Sequence, residues 1–393
     1  MNTHSRTLGL LEAIAAKLTP PLGRESLPKS SETKQAILQT TEEIARRLGV
    51  LEPLPAIEEM ATVTYSIGTS GRDYSTVTAW EADLDNGALY SPGDDAVGEM
   101  HNDSAFDETI DINGGGTIGL TSRTLTVAVA DRHDGTAGSG VRFVYTSGGD
   151  VLLDGVASFD TLLEWIEFDF NGQDMRRCVR DNQKVQRCIF HDAAGNRGNP
   201  VQALTKATGD AFWTNNIVYD MLNVGNGGSA GLYENASSAD VQIYNNTVHN
   251  ITCTGTGNGR GIDTRDQSNE NIRNNICTSC DVGFDRSSPS NATMDYNATD
   301  DTSAAGANSL NSIVVANQYV STVGGSEDLH LKTGADAIDE GVDLGTTPTG
   351  VEVDINGRDR DANADTWDIG AHEFVGGGGP TPSTDTPFQR IYR

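Results

Sequence analysis

The chain has 393 residues, a net charge of −29, and only 36% apolar and 6% aromatic residues. A surface this acidic repels phosphate groups, so we expect no nucleic-acid partner. Because no apolar run is long enough to span a bilayer, we expect no membrane partner either. The low apolar content is typical of a solenoid, in which a narrow core leaves most of the surface in contact with water.

Residues 1–60 differ in composition from the rest of the chain. They carry seven Lys/Arg and eight Glu but no Asp, Cys or aromatic residue, whereas residues 61–393 have a net charge of −28. The apolar spacing predicts helices near 8–18 and 32–48, with Gly49 ending the second. Isolated helices of this length are marginal in water, so they either pack on the rest of the chain or dock into another protein. We interpret residues 1–60 as a helical N-terminal docking module.

A cap over the open end of a β-domain is predicted for residues 61–104. This stretch combines a strand, a Gly-rich turn and a short helix that carries Trp80. An open sheet end exposes unpaired backbone groups and core side chains, and a short amphipathic helix with a tryptophan can cover them. Residues 105–160 then alternate short strands with Gly-rich turns, as expected for the first coils of a solenoid.

One short strand pattern recurs along the middle of the chain. Its successive copies are separated by 23, 28, 30, 29 and 22 residues, at Ile166, Ile189, Ile217, Thr247, Ile276 and Ala298. A unit of two or three short strands cannot bury its own apolar face, so it must stack on copies of itself. Turns rich in Gly, Asn, Asp and Ser, with no helical period between the strands, favour a parallel β-helix over residues 105–325.

Asparagine recurs at two adjacent turn positions of this repeat. One column contains Asn216, Asn246, Asn275 and Asn297, and the other contains Asn215, Asn245 and Asn274. Stacked coils lie about 4.8 Å apart, so the amides of one column can hydrogen-bond as a ladder. Asparagine also tolerates the left-handed backbone that a tight turn requires. The columns therefore predict that the coils stack in register.

The five cysteines, Cys178, Cys188, Cys253, Cys277 and Cys280, all lie within the repeats. Three of them fall in or beside strands, where a small apolar side chain is expected, so we interpret them as buried free thiols. The Cys277-x-x-Cys280 spacing also occurs in redox and metal half-sites, but no second pair completes a zinc site.

The segment 326–374 contains four short motifs in a fixed order. They are Asp328-Leu-His-Leu331, Ala335-Asp-Ala-Ile-Asp-Glu-Gly341, Val353-Asp-Ile-Asn-Gly-Arg358 and Trp367-Asp-Ile-Gly-Ala-His-Glu-Phe374. This segment resembles the closing module of the choice-of-anchor Q, pectate-lyase-like proteins. The resemblance implies the β-helix fold and its right-handedness. The predicted fold is therefore all-β, a single-stranded right-handed parallel β-helix with a short helical N-terminal module and an extended C-terminal tail. It does not fix the function, because such solenoids serve as lyases, hydrolases, adhesins and phage spikes.

Residues 375–393 follow as a Gly/Pro linker and a terminal peptide. Gly376 to Gly379 and a Pro/Ser/Thr stretch precede a peptide that alternates aromatic, basic and aliphatic residues. Such an extended C-terminal tail is either a tether with a docking peptide or a frayed end. We favour the docking peptide.

A column of polar side chains is predicted on the second strand of each coil, two residues after an aligned glycine. It contains Arg180, Thr205, Tyr233, Asp263 and Asp285, and two residues further on come Asn235 and Arg265. In a strand these two positions face the same side. We predict Asp263, Arg265 and Asp285 as catalytic, and Tyr233, Arg180 and Asn235 as substrate-binding. The alternative is an ordinary solvent-facing surface on which Asp and Arg form ion pairs.

A calcium loop is suggested by the alternating spacing of Asp359, Asp361, Asn363 and Asp365. The glycine and the distal glutamate of an EF-hand are absent. Calcium is the one cofactor that the sequence suggests.

Two functions of different classes fit these features. The first is a non-enzymatic structural protein of a virus (phage) particle, a head-decoration, fibre or tailspike-like subunit. It would dock onto other virion proteins through residues 1–60 and 376–393, bind surface polysaccharide, and form a homo-oligomer as spikes of this fold do. The second is a polysaccharide lyase or glycoside hydrolase acting on acidic polysaccharide. The N-terminus lacks an apolar run typical of a signal peptide, which favours a virion over an extracellular location.

Overall fold

The computed structural model describes residues 60–155, 161–181, 184–196, 198, 200–207, 209–235, 240–265, 269–286, 293–363 and 366–376. The docking module predicted for 1–60 and the peptide predicted for 376–393 lie outside these residues, apart from Met60 and Gly376. Among the described residues no helix has the length and apolarity needed to cross a membrane.

The described chain winds into a β-helix in which each full coil adds one strand to each of three parallel sheets. Sheet 1 consists, in the described residues, of β1 (Thr62–Ile67), β2 (Asp95–Met100), β4 (Ser122–Val127), β7 (Thr161–Glu164), β10 (Lys184–Gln186), β13 (Ala211–Thr214), β16 (Asp240–Tyr244), β19 (Asn269–Arg273) and β22 (Thr293–Asp295).

Sheet 2 consists, over the same residues, of β5 (Arg142–Val144), β8 (Glu167–Asp169), β11 (Ile189–Gly195), β14 (Ile217–Asn223), β17 (Thr247–Cys253), β20 (Ile276–Thr278), β23 (Ala298–Thr299) and β24 (Leu310–Asn311). Sheet 3 consists of β3 (Ile110–Ile112), β6 (Gly149–Gly155), β9 (Met175–Arg180), β12 (Val201–Lys206), β15 (Ser229–Glu234), β18 (Gly259–Thr264) and β21 (Val282–Arg286). The right-handed parallel β-helix predicted from the sequence is therefore confirmed.

Shorter elements flank the coils. Two α-helices, α1 (Val77–Ala82) and α2 (Val315–Gln318), and two 3-10 turns (Val129–Asp131 and Arg360–Asn363) are present in the described residues. An antiparallel hairpin joins β25 (Tyr319–Val323) to β26 (Ser326–Leu331). Thr76 caps α1 by accepting a hydrogen bond from the Ala79 N–H, and Trp80 is fully buried.

The residues of the predicted repeat are the ones that pair between successive strands of sheet 2. Ile189, Ile217, Thr247, Ile276 and Ala298 pair in succession. The first predicted member was wrong by one residue, because Ile189 pairs with Glu167 rather than with Ile166. Trp165 supplies the left-handed residue of that turn (φ 65°), as asparagine does in the later coils, so the strand begins one residue later than the apolar pattern suggests.

All three sheets contribute side chains to the core, and one column of similar side chains faces inward from sheet 2. The rings of Phe143, Phe168 and Phe190 stack with centroid distances of 5.4 and 4.9 Å and are almost coplanar. The next coils continue the column with Val218, Val248 and Cys277. Cys178, Cys188 and Cys277 are buried free thiols, as predicted. Burial raises the pKa of the Cys277 thiol well above its usual value, so it is an unreactive core side chain.

The asparagine ladder is confirmed. The Nδ2 of Asn216 donates to the Oδ1 of Asn246 at 3.0 Å, Asn246 donates to Asn275 at 2.9 Å, and Asn275 donates to Asn297 at 3.0 Å. All four side chains are fully buried. The ladder therefore fixes the corner between sheets 1 and 2, because a shifted coil would leave buried amides without partners.

The second asparagine column holds the C-terminal segment, residues 326–374, against the side of the coils. Asn215, Asn245 and Asn274 have left-handed backbones (φ 57°, 54° and 57°). Asn245 donates to the Val351 carbonyl at 3.0 Å, and Asn274 donates to the Val342 carbonyl at 2.8 Å. Apolar side chains of this segment, including Ile355, Ile369 and Ala371, form one buried cluster with the outer face of sheet 2.

Candidate functional site

The polar column predicted on sheet 3 is in register. Arg180 pairs with Thr205, Thr205 with Tyr233, Tyr233 with Asp263, and Asp263 with Asp285. These residues therefore occupy the same position along the strand in five successive coils. Their role as a site stays a prediction.

Asp263 lies at the centre of an ion-pair network at this level. Arg265 binds both of its carboxylate oxygens, with Nε 2.5 Å from Oδ1 and Nη2 2.7 Å from Oδ2. The Nε of Arg260 is 3.6 Å from Asp263 Oδ2 and 2.5 Å from Asp285 Oδ2. Arg265 Nη2 also lies 3.7 Å from Asp285 Oδ2. The two arginines and two aspartates therefore form one network of alternating positive and negative charges. Arg260, which lies one residue before the aligned Gly261, was not predicted from the sequence.

This ion-pair network shields the Asp263 side chain from solvent. Asp263 is only 1% exposed, whereas the side chain of Asp285 is 33% exposed. Burial raises the pKa of Asp263, and the hydrogen bonds and charges of Arg265 and Arg260 oppose that shift. A general base needs an oxygen within reach of the proton it removes. Both oxygens of Asp263 are instead held by arginine, so this carboxylate is better placed for structure than for proton transfer.

The three residues predicted to bind substrate line one groove on the outer side of sheet 3. Arg180, Tyr233 and Asn235 surround a space of about 260 Å³ together with Arg176 and Arg177. The remaining lining residues are Asp181, Pro200, Gln202, Thr205 and Ala207. The two further arginines were not predicted; they come from the run Met175-Arg-Arg-Cys-Val-Arg180, whose positive charge is the sequence signal that could have indicated them.

This groove, the sheet 3 groove, combines positive charge with an aromatic face. Arg180 Nε lies 3.8 Å from Asp181 Oδ2, so one carboxylate is close to it. Burial, followed by the charge of Asp263, raises the pKa of Tyr233 above its usual value, so its hydroxyl is neutral and can donate a hydrogen bond. Arginine, amide and tyrosine side chains together can bind carboxylate and hydroxyl groups of a sugar.

The predicted calcium loop has local structural contacts. Asp359 Oδ1 accepts a hydrogen bond from the Asp361 N–H at 2.9 Å, and Asp361 Oδ1 accepts one from the Trp367 indole N–H at 2.8 Å. Asn363 ends the 3-10 turn, and Asp365 lies outside the described residues. Calcium binding here stays a prediction.

A second polar cluster, on the outer face of sheet 2, was not predicted as a site. It consists of Glu167, Asp169 and His191, whose potential ligand atoms all lie within 4.8 Å of one another. His191 Nε2 is 3.1 Å from Glu167 Oε1, and its Nδ1 is 2.9 Å from Asp192 Oδ2. The feature of the sequence that could have indicated this cluster is His191. A second histidine, His249, occupies the same column two coils later, with Tyr219 between them.

His191 is charged near neutral pH in this arrangement. Desolvation lowers its pKa, but the hydrogen bonds to Asp192 and Glu167 outweigh that effect and raise the pKa to about 9. Its ring stacks on Tyr219 with centroids 5.0 Å apart. An open groove of about 510 Å³ lies alongside, and its polar lining residues are Asp169, Asn171, Asp192, Asp220, Asn250 and Thr252.

The three sheets, their register and the two outer grooves define a parallel β-helix protein. No family model and no curated protein matches the chain, so the resemblance of residues 326–374 to choice-of-anchor Q proteins stays a prediction. Among solved structures, the chain is similar to the pectin methylesterase of Aspergillus niger in deglycosylated form. The match has 11% identity and a TM-score of 0.33, and it covers 70% of this chain and 93% of that one. Similarity at this level carries no argument about function.

Proposed function

We propose that the protein is a non-enzymatic structural component of a virus particle that binds acidic surface polysaccharide in the sheet 3 groove. Residues 1–60 and 376–393 attach it to other proteins of the particle, and the β-helix lies between these two segments in the sequence. The proposal depends on the contrast between two parts of sheet 3. The groove at Arg180, Tyr233 and Asn235 is open, whereas Asp263, the best candidate base, is 1% exposed and clamped by arginine.

The charge of the groove supports an acidic ligand. The protein as a whole has a net charge of −29, yet Arg176, Arg177 and Arg180 line this one groove. Arginine binds carboxylates through paired, charge-assisted hydrogen bonds. Neighbouring coils lie about 4.8 Å apart, so an extended polymer along the helix axis meets equivalent positions of successive coils. The three arginines all lie on β9, so the groove suits a glycan that places a carboxylate at this strand and its neighbouring sugars at Thr205 and Tyr233 of the next two coils.

Binding is tested with polygalacturonate and, as a neutral comparison, dextran. We expect wild type to bind polygalacturonate and not dextran. Arg180→Ala and Tyr233→Ala should weaken binding by about tenfold, since a hydrogen bond to a charged group contributes about 1.5–3 kcal/mol. Arg72→Ala is the matched control, because it removes one positive charge from an ion pair with Asp103 in the cap. Equal binding by all four proteins would exclude the groove as the binding site.

The alternative function is cleavage of the same polymer, and one observation favours it. Asp263 and Asp285 lie beside each other on adjacent strands with Arg260 and Arg265 between them, and a lyase needs a carboxylate and a cationic group at its substrate's acid. Release of unsaturated or reducing ends by wild type, abolished in Asp263→Ala, would establish the enzyme and exclude the non-enzymatic role. We expect no release from either protein.

Attachment is tested separately by truncation. Chains that lack residues 1–60 or 376–393 should retain the circular dichroism spectrum of the β-helix but fail to join the particle. Normal incorporation of both truncated chains would contradict docking through these segments. This result is independent of glycan binding, so the two parts of the proposal can fail separately.

A further inference from the structure

The outer face of sheet 2 places three side chains of metal-binding type at one point. Asp169 and His191 are paired residues on adjacent parallel strands, and Glu167 lies two residues before Asp169. Residues two apart in a strand face the same side, and paired residues of neighbouring strands lie beside each other. The fold itself therefore brings two carboxylates and one imidazole together, with their potential ligand atoms within 4.8 Å of one another.

The backbone fixes both carboxylates. Glu167 Oε2 accepts the Gly138 N–H at 2.7 Å, and Asp169 Oδ1 accepts the Asn171 N–H at 2.7 Å. Glu167 is fully buried, so it loses little side-chain freedom on binding a ligand. These two hydrogen bonds do not involve His191, so they hold the carboxylates in place whatever binds beside them.

His191 is oriented in the way that metal-bound histidines are. Its Nδ1 faces Asp192 Oδ2 at 2.9 Å, which leaves Nε2 directed towards Glu167. A histidine that binds a metal commonly donates its other N–H to a carboxylate, which fixes the tautomer and the ring. Stacking of the ring on Tyr219, at an interplanar angle of 6°, fixes it further.

The surrounding charge also suits a cation. Glu167 and Asp192 have His191 as their ion-pair partner, and the adjoining groove contributes Asp220 and Asn250. Three carboxylates, Glu167, Asp169 and Asp192, thus surround one imidazole, and Arg142, paired with Glu167 on β5, adds one positive charge at this face. A bound divalent cation would balance this excess of negative charge better than a proton does.

We propose that Glu167, Asp169 and His191 form a binding site for a divalent first-row transition ion of the Zn²⁺ type. An imidazole nitrogen with two carboxylate oxygens suits such ions, whereas Ca²⁺ and Mg²⁺ prefer oxygen ligands alone. Three protein ligands leave one tetrahedral position, and one of them, Asp169, also lines the groove of about 510 Å³. Asp192 acts through His191 as a positioning residue. The site lies on a different sheet from the sheet 3 groove and does not depend on glycan binding.

The test uses the full chain, stripped with EDTA and titrated with ZnCl₂ at pH 8 by isothermal calorimetry. Wild type should bind one high-affinity equivalent. Asp169→Asn, which preserves the shape of a half-buried side chain, should weaken this binding at least tenfold. Asp192→Asn should weaken it about 10-fold to 100-fold through the histidine. His249→Gln is the matched control, because His249 occupies the same column two coils on and faces Thr278 instead of a carboxylate.

Visible absorption spectroscopy of the same proteins distinguishes binding at the three proposed ligands from non-specific binding at the protein surface. CoCl₂ should give a visible absorption band of a four-coordinate ion in wild type and in His249→Gln but not in His191→Ala. Circular dichroism shows that each variant is folded. Equal zinc binding by wild type and Asp169→Asn would overturn the proposal. Displacement of zinc by an equimolar amount of CaCl₂ would overturn the class of ion.

Discussion

Arg360 Nη2 donates to the Oδ1 of Asn215 across 3.1 Å, and this bond joins the C-terminal segment to a corner of the coils. Asn215 is also a donor, to the Gly350 and Val351 carbonyls. Arg360 is fully buried, and its Nη1 lies 2.8 Å from Glu373 Oε2. One left-handed asparagine and one buried arginine therefore link residues that are far apart in the sequence.

Arg360→Met should destabilise the protein by about 3–5 kcal/mol, because it leaves Glu373 buried without its cationic partner. Burial raises the pKa of Glu373 to about 7 even with Arg360 present, so the carboxylate already sits in an unfavourable environment. Urea unfolding measures the effect. The double variant Arg360→Met/Glu373→Met should recover only the part of the loss that comes from the unpaired Glu373, because the bonds from Arg360 to Asn215 and Gly370 stay broken. A loss below about 1 kcal/mol in the single variant would show that the pair does not hold the segment in place.

The asparagine ladder predicts a loss of stability when one of its buried amides is removed. Asn246→Leu removes the acceptor of Asn216 and the donor to Asn275. Each buried polar group left without a partner costs about 1–3 kcal/mol, so we expect a loss of about 2–6 kcal/mol in thermal or urea unfolding. Asn113→Ala, at an exposed position before the coils become regular, is the control and should change stability by less than about 0.5 kcal/mol. Similar losses at both positions would contradict a ladder.

The ion-pair network on sheet 3 predicts unequal effects for its two aspartates. Asp263→Asn removes the carboxylate that both arginines share, and we expect a loss of about 3 kcal/mol. Asp285→Asn changes a side chain that is 33% exposed, so solvent screening should limit its loss to about 1 kcal/mol or less. Urea unfolding of the two variants under one set of conditions makes the comparison. Equal losses would mean that Asp263 is not the centre of the network.

The sequence predicted those features that depend on repetition. The Asn216 to Asn297 ladder follows from like residues recurring at one coil position. The Arg180 to Asp285 column follows from the small residues aligned two positions before it, and in-register stacking then fixes its neighbours. The one-residue error at Ile166 arose because Trp165 takes the left-handed position that asparagine occupies in later coils.

The parts that the sequence did not predict depend on contacts between different coil positions. Arg260 reaches Asp285 on the next strand, and Asp192, itself left-handed (φ 62°), places its carboxylate beside the ring of the preceding His191. The Asp192 position recurs as Asp220 in the next coil, but His191 is replaced there by Tyr219, so the pair itself does not repeat. The docking of the C-terminal segment on Asn215 is likewise a long-range contact, which the motifs of that segment do not specify.

The protonation of His191 gives a prediction with a definite sign. With EDTA present, its pKa should be about 9, because Glu167 and Asp192 hold the proton, whereas desolvation lowers the pKa of His249 below the usual value. A raised folded-state pKa contributes stability that is complete below the unfolded value of about 6.5 and is lost as the pH rises through about 9. Stability should therefore fall over this interval, and Asp192→Asn should flatten the slope. Histidine NMR titration measures both pKa values directly, and a His191 pKa below 6.5 would show that the two carboxylates do not bind the imidazolium.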